Sequence, residues 1–168
     1  ELNNTRKLVA VLLEGPMGAG KTATLDELYF RWPRFASKVV FSFQREREIV
    51  SRNGNSLPCT RIKKFSDIRV QDIDQRESDF PTLTLIDEVQ FGDPVSFLEF
   101  YNTAVAKNCK VIMSGIPRNL KSEIWNFNGY FKQLGIRHVV EFHCQCEICG
   151  EICARLTAQL RTRQKHVF

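Results

Sequence analysis

The stretch Leu8-Val9-Ala10-Val11-Leu12-Leu13-Glu14-Gly15-Pro16-Met17-Gly18-Ala19-Gly20-Lys21-Thr22 decides the fold. Leu8–Leu13 is a continuous apolar run, as expected of a strand buried on both faces of a parallel sheet. It is far too short to span a bilayer, and Glu14 ends it. Gly15, Gly20, Lys21 and Thr22 then match G-x-x-x-x-G-K-[ST] without a gap. Glycines in such a loop let backbone N–H groups converge on phosphate, and the N-terminus of the helix that follows adds positive potential. Gly15, Pro16, Met17, Gly18, Ala19, Gly20, Lys21 and Thr22 are therefore the expected nucleotide-binding set. Lys21 is expected to reach the β- and γ-phosphates of ATP, and the Thr22 hydroxyl to hold Mg2+. A helix is expected from Thr22 to Arg31, stopped by Pro33.

Downstream, strands and helices alternate. Lys38–Phe43 is a second short β-rich run, and 44–58 is polar and turn-rich, so a long mobile loop is expected there. Ser66 or Asp67 is placed to cap a short helix. Thr82–Ile86 reads as a strand delivering Asp87 and Glu88. Asp93-Pro94 opens a helix in which Val95, Leu98, Tyr101 and Val105 recur at helical spacing. Lys110–Ser114 is another strand, turned by Gly115-Ile116-Pro117. The alternation predicts an α/β fold: a mainly parallel sheet of the phosphate-loop NTPase kind, flanked by helices, with ligands at the carboxyl ends of the strands. Two units are expected: an α/β core over 1–138 and a small cysteine-rich appendage over 139–168.

The acidic strand is the second chemical element. In phosphate-loop enzymes such a strand brings an Asp to magnesium, which assigns Asp87 to the metal with Thr22. Glu88 follows directly and is suited to take a proton from an attacking hydroxyl or water. Acids also cap strands for no chemical reason, and the phosphate loop upstream is what favours the functional reading.

Composition sets outer limits. The chain has 168 residues, 43% hydrophobic and 26% charged, enough for one compact domain with a real core. The net charge of +5 suits an anionic partner. Much of the excess is late, at Arg155, Arg161, Arg163 and Lys165, without interleaved aromatics. A solvated basic tail fits that pattern better than a nucleic-acid groove. No secretory signal pattern is present at the start, so the expected compartment is the cytoplasm. Of six cysteines, Cys144, Cys146, Cys149 and Cys153 fall close together, which in such a compartment reads as metal binding before disulfides.

The motifs together resemble the zinc-containing (type II) thymidine kinases of animals, bacteria and large DNA viruses. Gly15-Pro16-Met17 before Gly20-Lys21-Thr22 is similar to that family's G-P-M-F-S-G-K-[ST]. Ile86-Asp87-Glu88-Val89-Gln90-Phe91 is similar to its I-D-E-x-Q-F. Ser51-Arg52-Asn53-Gly54 resembles S-H-N/D-G, and Gly115–Leu120 with Trp125 resembles G-L-x-x-D-F and its following aromatic. Cys146-Glu147-Ile148-Cys149-Gly150 resembles the first zinc knuckle. The matches run in order from about Leu8 to Leu160.

The resemblance implies phosphoryl transfer from ATP to the 5′-hydroxyl of thymidine or deoxyuridine. Glu88 would be the general base, Asp87 the metal-supporting acid, and Gln90 a member of the cofactor-binding strand. Met17, Phe91, Leu120 and Trp125 fall where the family lines its base pocket, and Arg47 near an arginine beside the phosphates. A dimer or tetramer is implied as well. Departures are Gly18-Ala19 for Phe-Ser, Arg52 for the usual histidine, and Arg45 and Glu48 in place of the acid and tyrosine around Arg47. The family's nucleoside-closing lasso and second pair of zinc ligands do not appear before Phe168. The sequence is then a truncated piece, or another segment supplies them, or this homologue lacks them. For zinc, Cys146 and Cys149 need two further ligands, with Cys144 and Cys153 nearest and His143 and His166 in reserve. Three other activities compete: a nucleoside monophosphate kinase, a nucleic-acid-dependent ATPase, and an inactive homologue that keeps ATP binding. Nucleic acid and membrane are the less expected partners.

Overall fold

The computed structural model describes residues 10–51, 53–74, 80–134 and 139–143, together with the backbone of two short strands further on. Six strands form one sheet: β1 (Ala10–Glu14), β2 (Lys38–Ser42), β5 (Thr60–Arg61), β6 (Thr82–Asp87), β7 (Cys109–Gly115) and β8 (Val139–Glu141). Their order is β5-β2-β6-β7-β1-β8, and every pairing is parallel. Helices α1 (Lys21–Arg31), α3 (Pro94–Ala106) and α4 (Asn126–Gln133) flank it, with a single turn α2 (Val70–Ile73) and two 3-10 turns at Phe65–Asp67 and Val89–Phe91.

Alternation along each strand sends neighbours to opposite faces. Leu12, Ile86, Val111 and Met113 face one core, completed by Phe97, Phe100, Phe127 and Phe131 from α3 and α4. Leu13, Leu83 and Leu85 face a second core under α1, completed by Leu25. With both faces covered, β6 is buried along its whole length, which explains why the strand sequences read as apolar runs.

Helix α1 stops where Pro33 forbids continuation, as expected, and Asp93 caps α3 by accepting from Ser96 N at 2.8 Å. Of the apolar stripe expected on α3, Tyr101 packs against the core, while Val95, Leu98 and Val105 are exposed. Val95 is 84% exposed, while Phe97, Phe100 and Ala104 are buried. Both faces of α3 carry apolar residues, and the larger aromatic rings win the buried side because they bury more area.

Residues 44–58 also differ from the expected loop. They contain an antiparallel hairpin, β3 (Glu48–Val50) with β4 (Ser56–Pro58), turning at Asn53-Gly54 where Gly54 has φ 81°. Each strand buries one residue, Ile49 or Leu57, in the second core. One apolar residue per strand is too little for a periodic signal. Thr82–Asp87 and Cys109–Gly115 extend the expected strands by a residue or two.

The sheet continues past residue 138, since Val139–Glu141 pairs with Leu12–Glu14. Beyond it, Ala158–Gln159 (β9) and His166–Val167 (β10) pair antiparallel. Cys144, Cys146, Cys149 and Cys153 lie outside the described residues.

Candidate active site

After β1 the chain rises into the glycine loop. Gly18 and Gly20 take left-handed φ of 77° and 93°, which a side chain would resist. Gly15 is constrained differently: a Cβ there would lie 2.6 Å from the Phe142 carbonyl oxygen. Gly15 N donates to Gly115 O at 3.3 Å, tying the loop to the end of β7. Lys21 opens α1, and its Nζ donates to Gly15 O at 2.6 Å and Pro16 O at 2.7 Å. The ammonium thus folds back over the loop.

Beneath the loop, Glu14 is 4% exposed and accepts from Asn128 Nδ2 at 2.9 Å and Lys132 Nζ at 2.7 Å. A carboxylate so buried needs such partners, and these two anchor α4 to the base of the loop.

Across β7, β6 ends at Asp87, which is 6% exposed. Ser114 Oγ donates to Asp87 Oδ1 at 2.6 Å. Burial, then the neighbouring Glu88 charge, push the Asp87 carboxyl up to about 6, against the lowering effects of Ser114 and Lys21. Glu88 itself sits in the left-handed region at φ 59°. A non-glycine residue held there is uncommon, and such outliers cluster at functional sites. The Glu88 carboxylate accepts from Gln90 Nε2, and Gln90 Oε1 accepts from Ile116 N at 3.3 Å.

These parts meet in one cleft of about 320 Å³. Lys21, Thr22, Asp87 and Glu88 line it, as do Met17, Gly18 and Gly20 of the loop. Ser51 and Asn53 from the β3–β4 hairpin tip close the opposite wall. Thr22 and Asp87 are hard oxygen donors, the class that magnesium takes. A larger recess of about 870 Å³ runs along β5, past Tyr29, Arg61 and Lys63, away from the glycine loop.

Not every expected residue joins the cleft. Arg47 is exposed just before β3 and is absent from the lining. Gln90 is buried behind Glu88, 3% exposed, with its amide engaged as described. Phe91 and Trp125 meet edge to face, with ring centroids 5.3 Å apart, while Leu120 is 55% exposed. Trp125 Nε1 is buried and finds no hydrogen-bond partner among the described residues. No group of three His, Cys, Asp or Glu able to hold a metal occurs among the described residues.

Ser114, Asn128 and Lys132 were not legible as site residues. Ser114 carried one faint signal, a hydroxyl ending the apolar strand beside Asp87. Asn128 and Lys132 reach Glu14 only through the tertiary fold, from 114 and 118 positions away.

Known proteins resemble the chain as follows. The family model described as thymidine kinase matches residues 9–168. A thymidine kinase of Ureaplasma parvum serovar 3 is 33% identical over 118 residues, covering 67% of this chain and 52% of the relative. One from Ureaplasma urealyticum serovar 10 is 32% identical over 117 residues, with the same coverage. The chain spans about half the length of the curated relatives it matches. A solved structure described as a DNA replication initiation factor aligns with a TM-score of 0.47 at 15% identity, over 82% of this chain and 40% of that one.

Proposed function

Since the chain belongs to the thymidine kinase family, we propose that it transfers the γ-phosphoryl group of ATP to the 5′-hydroxyl of thymidine or deoxyuridine. The observation that carries this reading is the meeting of Lys21 and Thr22 with Asp87 and Glu88 in one cleft. A donor site and a candidate base share a wall there. Phosphoryl transfer asks the protein mainly for positioning and charge neutralisation.

Each residue then has a defined task. Lys21 exchanges the carbonyls of Gly15 and Pro16 for β- and γ-phosphate oxygens, and the loop N–H groups hold the rest of the phosphate chain. Thr22 and Asp87 hold magnesium, which when bound neutralises charge on the transferring group. Glu88, aimed into the cleft by its left-handed backbone, takes the proton of the nucleoside hydroxyl as oxygen attacks phosphorus. Met17, Phe91, Leu120 and Trp125 pack the base. The Phe91–Trp125 contact supports that role, since paired rings offer an apolar wall. Arg47 reaches the phosphates only if the segment before β3 moves, which makes it the weakest member of the set.

The same reading extends to zinc held by Cys146 and Cys149 with Cys144 and Cys153, to a dimer or tetramer, and to a cytoplasmic enzyme. It also divides the chain into a catalytic core and a cysteine-bearing segment. No helix among the described residues is long and apolar enough to cross a membrane. Elemental analysis of the purified protein tests the zinc assignment: about one zinc per chain is expected, falling on Cys146→Ser.

The activity is tested with ATP, magnesium and labelled thymidine or deoxyuridine. Phosphorylated nucleoside is expected, and Glu88→Gln should lower the rate about 100- to 10,000-fold. Full activity in that variant removes Glu88 as base. ATP hydrolysis stimulated by DNA, with no phosphorylated nucleoside, overturns the kinase reading.

A further inference from the structure

Gln90 does not line the cleft, yet both ends of its amide hold residues that do. Nε2 donates to the Glu88 carboxylate, and Oε1 accepts from Ile116 N at 3.3 Å. The orientation of that amide follows from chemistry: an ionised carboxylate only accepts and a backbone N–H only donates, so each partner admits one end of the amide. The side chain is 3% exposed, so water is a poor substitute for either partner. Space for it depends on Gly115, where a Cβ would lie 2.9 Å from Gln90 Oε1 and 3.1 Å from Val89 Cγ2. Glu88 meanwhile leaves the sheet in a left-handed conformation, which by itself fixes only the start of its side chain. The carboxylate at the far end of that side chain takes its second restraint from Gln90.

We propose that Gln90 is a positioning residue, whose amide clamps the Glu88 carboxylate to the backbone that follows β7. The proposal rests on Glu88 being the general base. It makes the loop at Gly115-Ile116 part of the base's support: movement of that loop slackens the amide, and the carboxylate loses its aim at the acceptor hydroxyl. Gln90 then acts through Glu88, without contact to nucleotide.

The test compares Gln90→Met, which keeps length without polar ends, and Gln90→Glu, which keeps shape but replaces the donor by an acid. In both, kcat should fall about 10- to 100-fold, because misplacement of a reacting group by an ångström costs on that order. The KM for ATP should stay within about twofold. An ATP KM that rises in step with the loss of kcat makes Gln90 a nucleotide-binding or packing residue and overturns the proposal, as does an unchanged kcat. An NMR measurement needs neither activity nor a variant at Gln90. The Gln90 side-chain amide proton that donates to Glu88 should be separated from its geminal partner by more than in a free amide, and Glu88→Ala should narrow that separation to the free value. An ordinary separation in the parent, or a wide one that survives Glu88→Ala, rules out the clamp. If the protein phosphorylates no nucleoside, the functional reading fails by itself, and the amide resonances alone decide whether Gln90 holds Glu88.

Discussion

At the end of β6, the Asp87 carboxyl has given up nearly all its water for the Ser114 hydroxyl and the Glu88 backbone N–H. Its folded value near 6 stands above the ordinary 3.8, so the unfolded chain ionises the group first. Well below pH 3.8 the group is protonated in both states. As pH rises toward 6 the unfolded chain is favoured progressively, by about 3 kcal/mol once the folded group has also ionised. Asp87→Asn keeps an acceptor for Ser114 and removes that cost. Without nucleotide or metal, the variant should be about 1–3 kcal/mol more stable than the parent in urea unfolding at pH 8, and no more stable at about pH 3. Equal stability at pH 8 would mean that Asp87 carries no such burden. Under the proposed function the same substitution should abolish nucleoside phosphorylation, the lost stability being the cost of a magnesium ligand at this position.

Among the elements, α1 carries a second conflict. Asp26 is 4% exposed, and neither carboxylate oxygen has a hydrogen-bond partner among the described residues. Burying an acid without a partner is unfavourable, and an unbranched apolar side chain of greater length suits the same helix position. Asp26→Met should raise stability by about 1–3 kcal/mol in chemical denaturation, with ATP affinity unchanged. A destabilised variant would show that the acid has a partner in the folded protein. The sequence made α1 legible through Gly20-Lys21-Thr22 at one end and Pro33 at the other, both local signals. The parallel sheet was likewise legible in its apolar runs. The β3–β4 hairpin was not, because its stability comes from Ile49 and Leu57 meeting Leu25 and Leu85 across the fold. The same limit hid which side of α3 is buried and the engagement of Gln90 with Ile116. Residue chemistry at the cleft was readable, whereas the contacts that hold it in place depended on partners distant in sequence.

For the molecule as a whole, Phe65 is the joint of the first core. It is fully buried, with ring centroids 5.0–5.8 Å from Phe43, Phe97, Phe100 and Phe127. It also packs against Gly92, where any side chain would collide with its ring. Phe65→Ala should cost about 3–5 kcal/mol, a large share of the roughly 5–15 that a domain has. Phe65→Leu should cost about half as much. Denaturation midpoints read both, and near-equal values would mean that the aromatic cluster closes around the gap. The opposite edge of the sheet bears on the glycine loop. Phe142 N donates to Glu14 O at 2.7 Å, and the Phe142 carbonyl fills the space that a Gly15 side chain would need. Residue 142 is followed two positions later by the first of the clustered cysteines. The backbone that abuts the glycine loop thus lies, along the chain, two residues before the first clustered cysteine. Thermodynamic reciprocity makes the Phe142–Gly15 contact a two-way gauge: a binding event that shifts residue 142 and so changes nucleotide affinity is itself strengthened or weakened by nucleotide, by the same free energy.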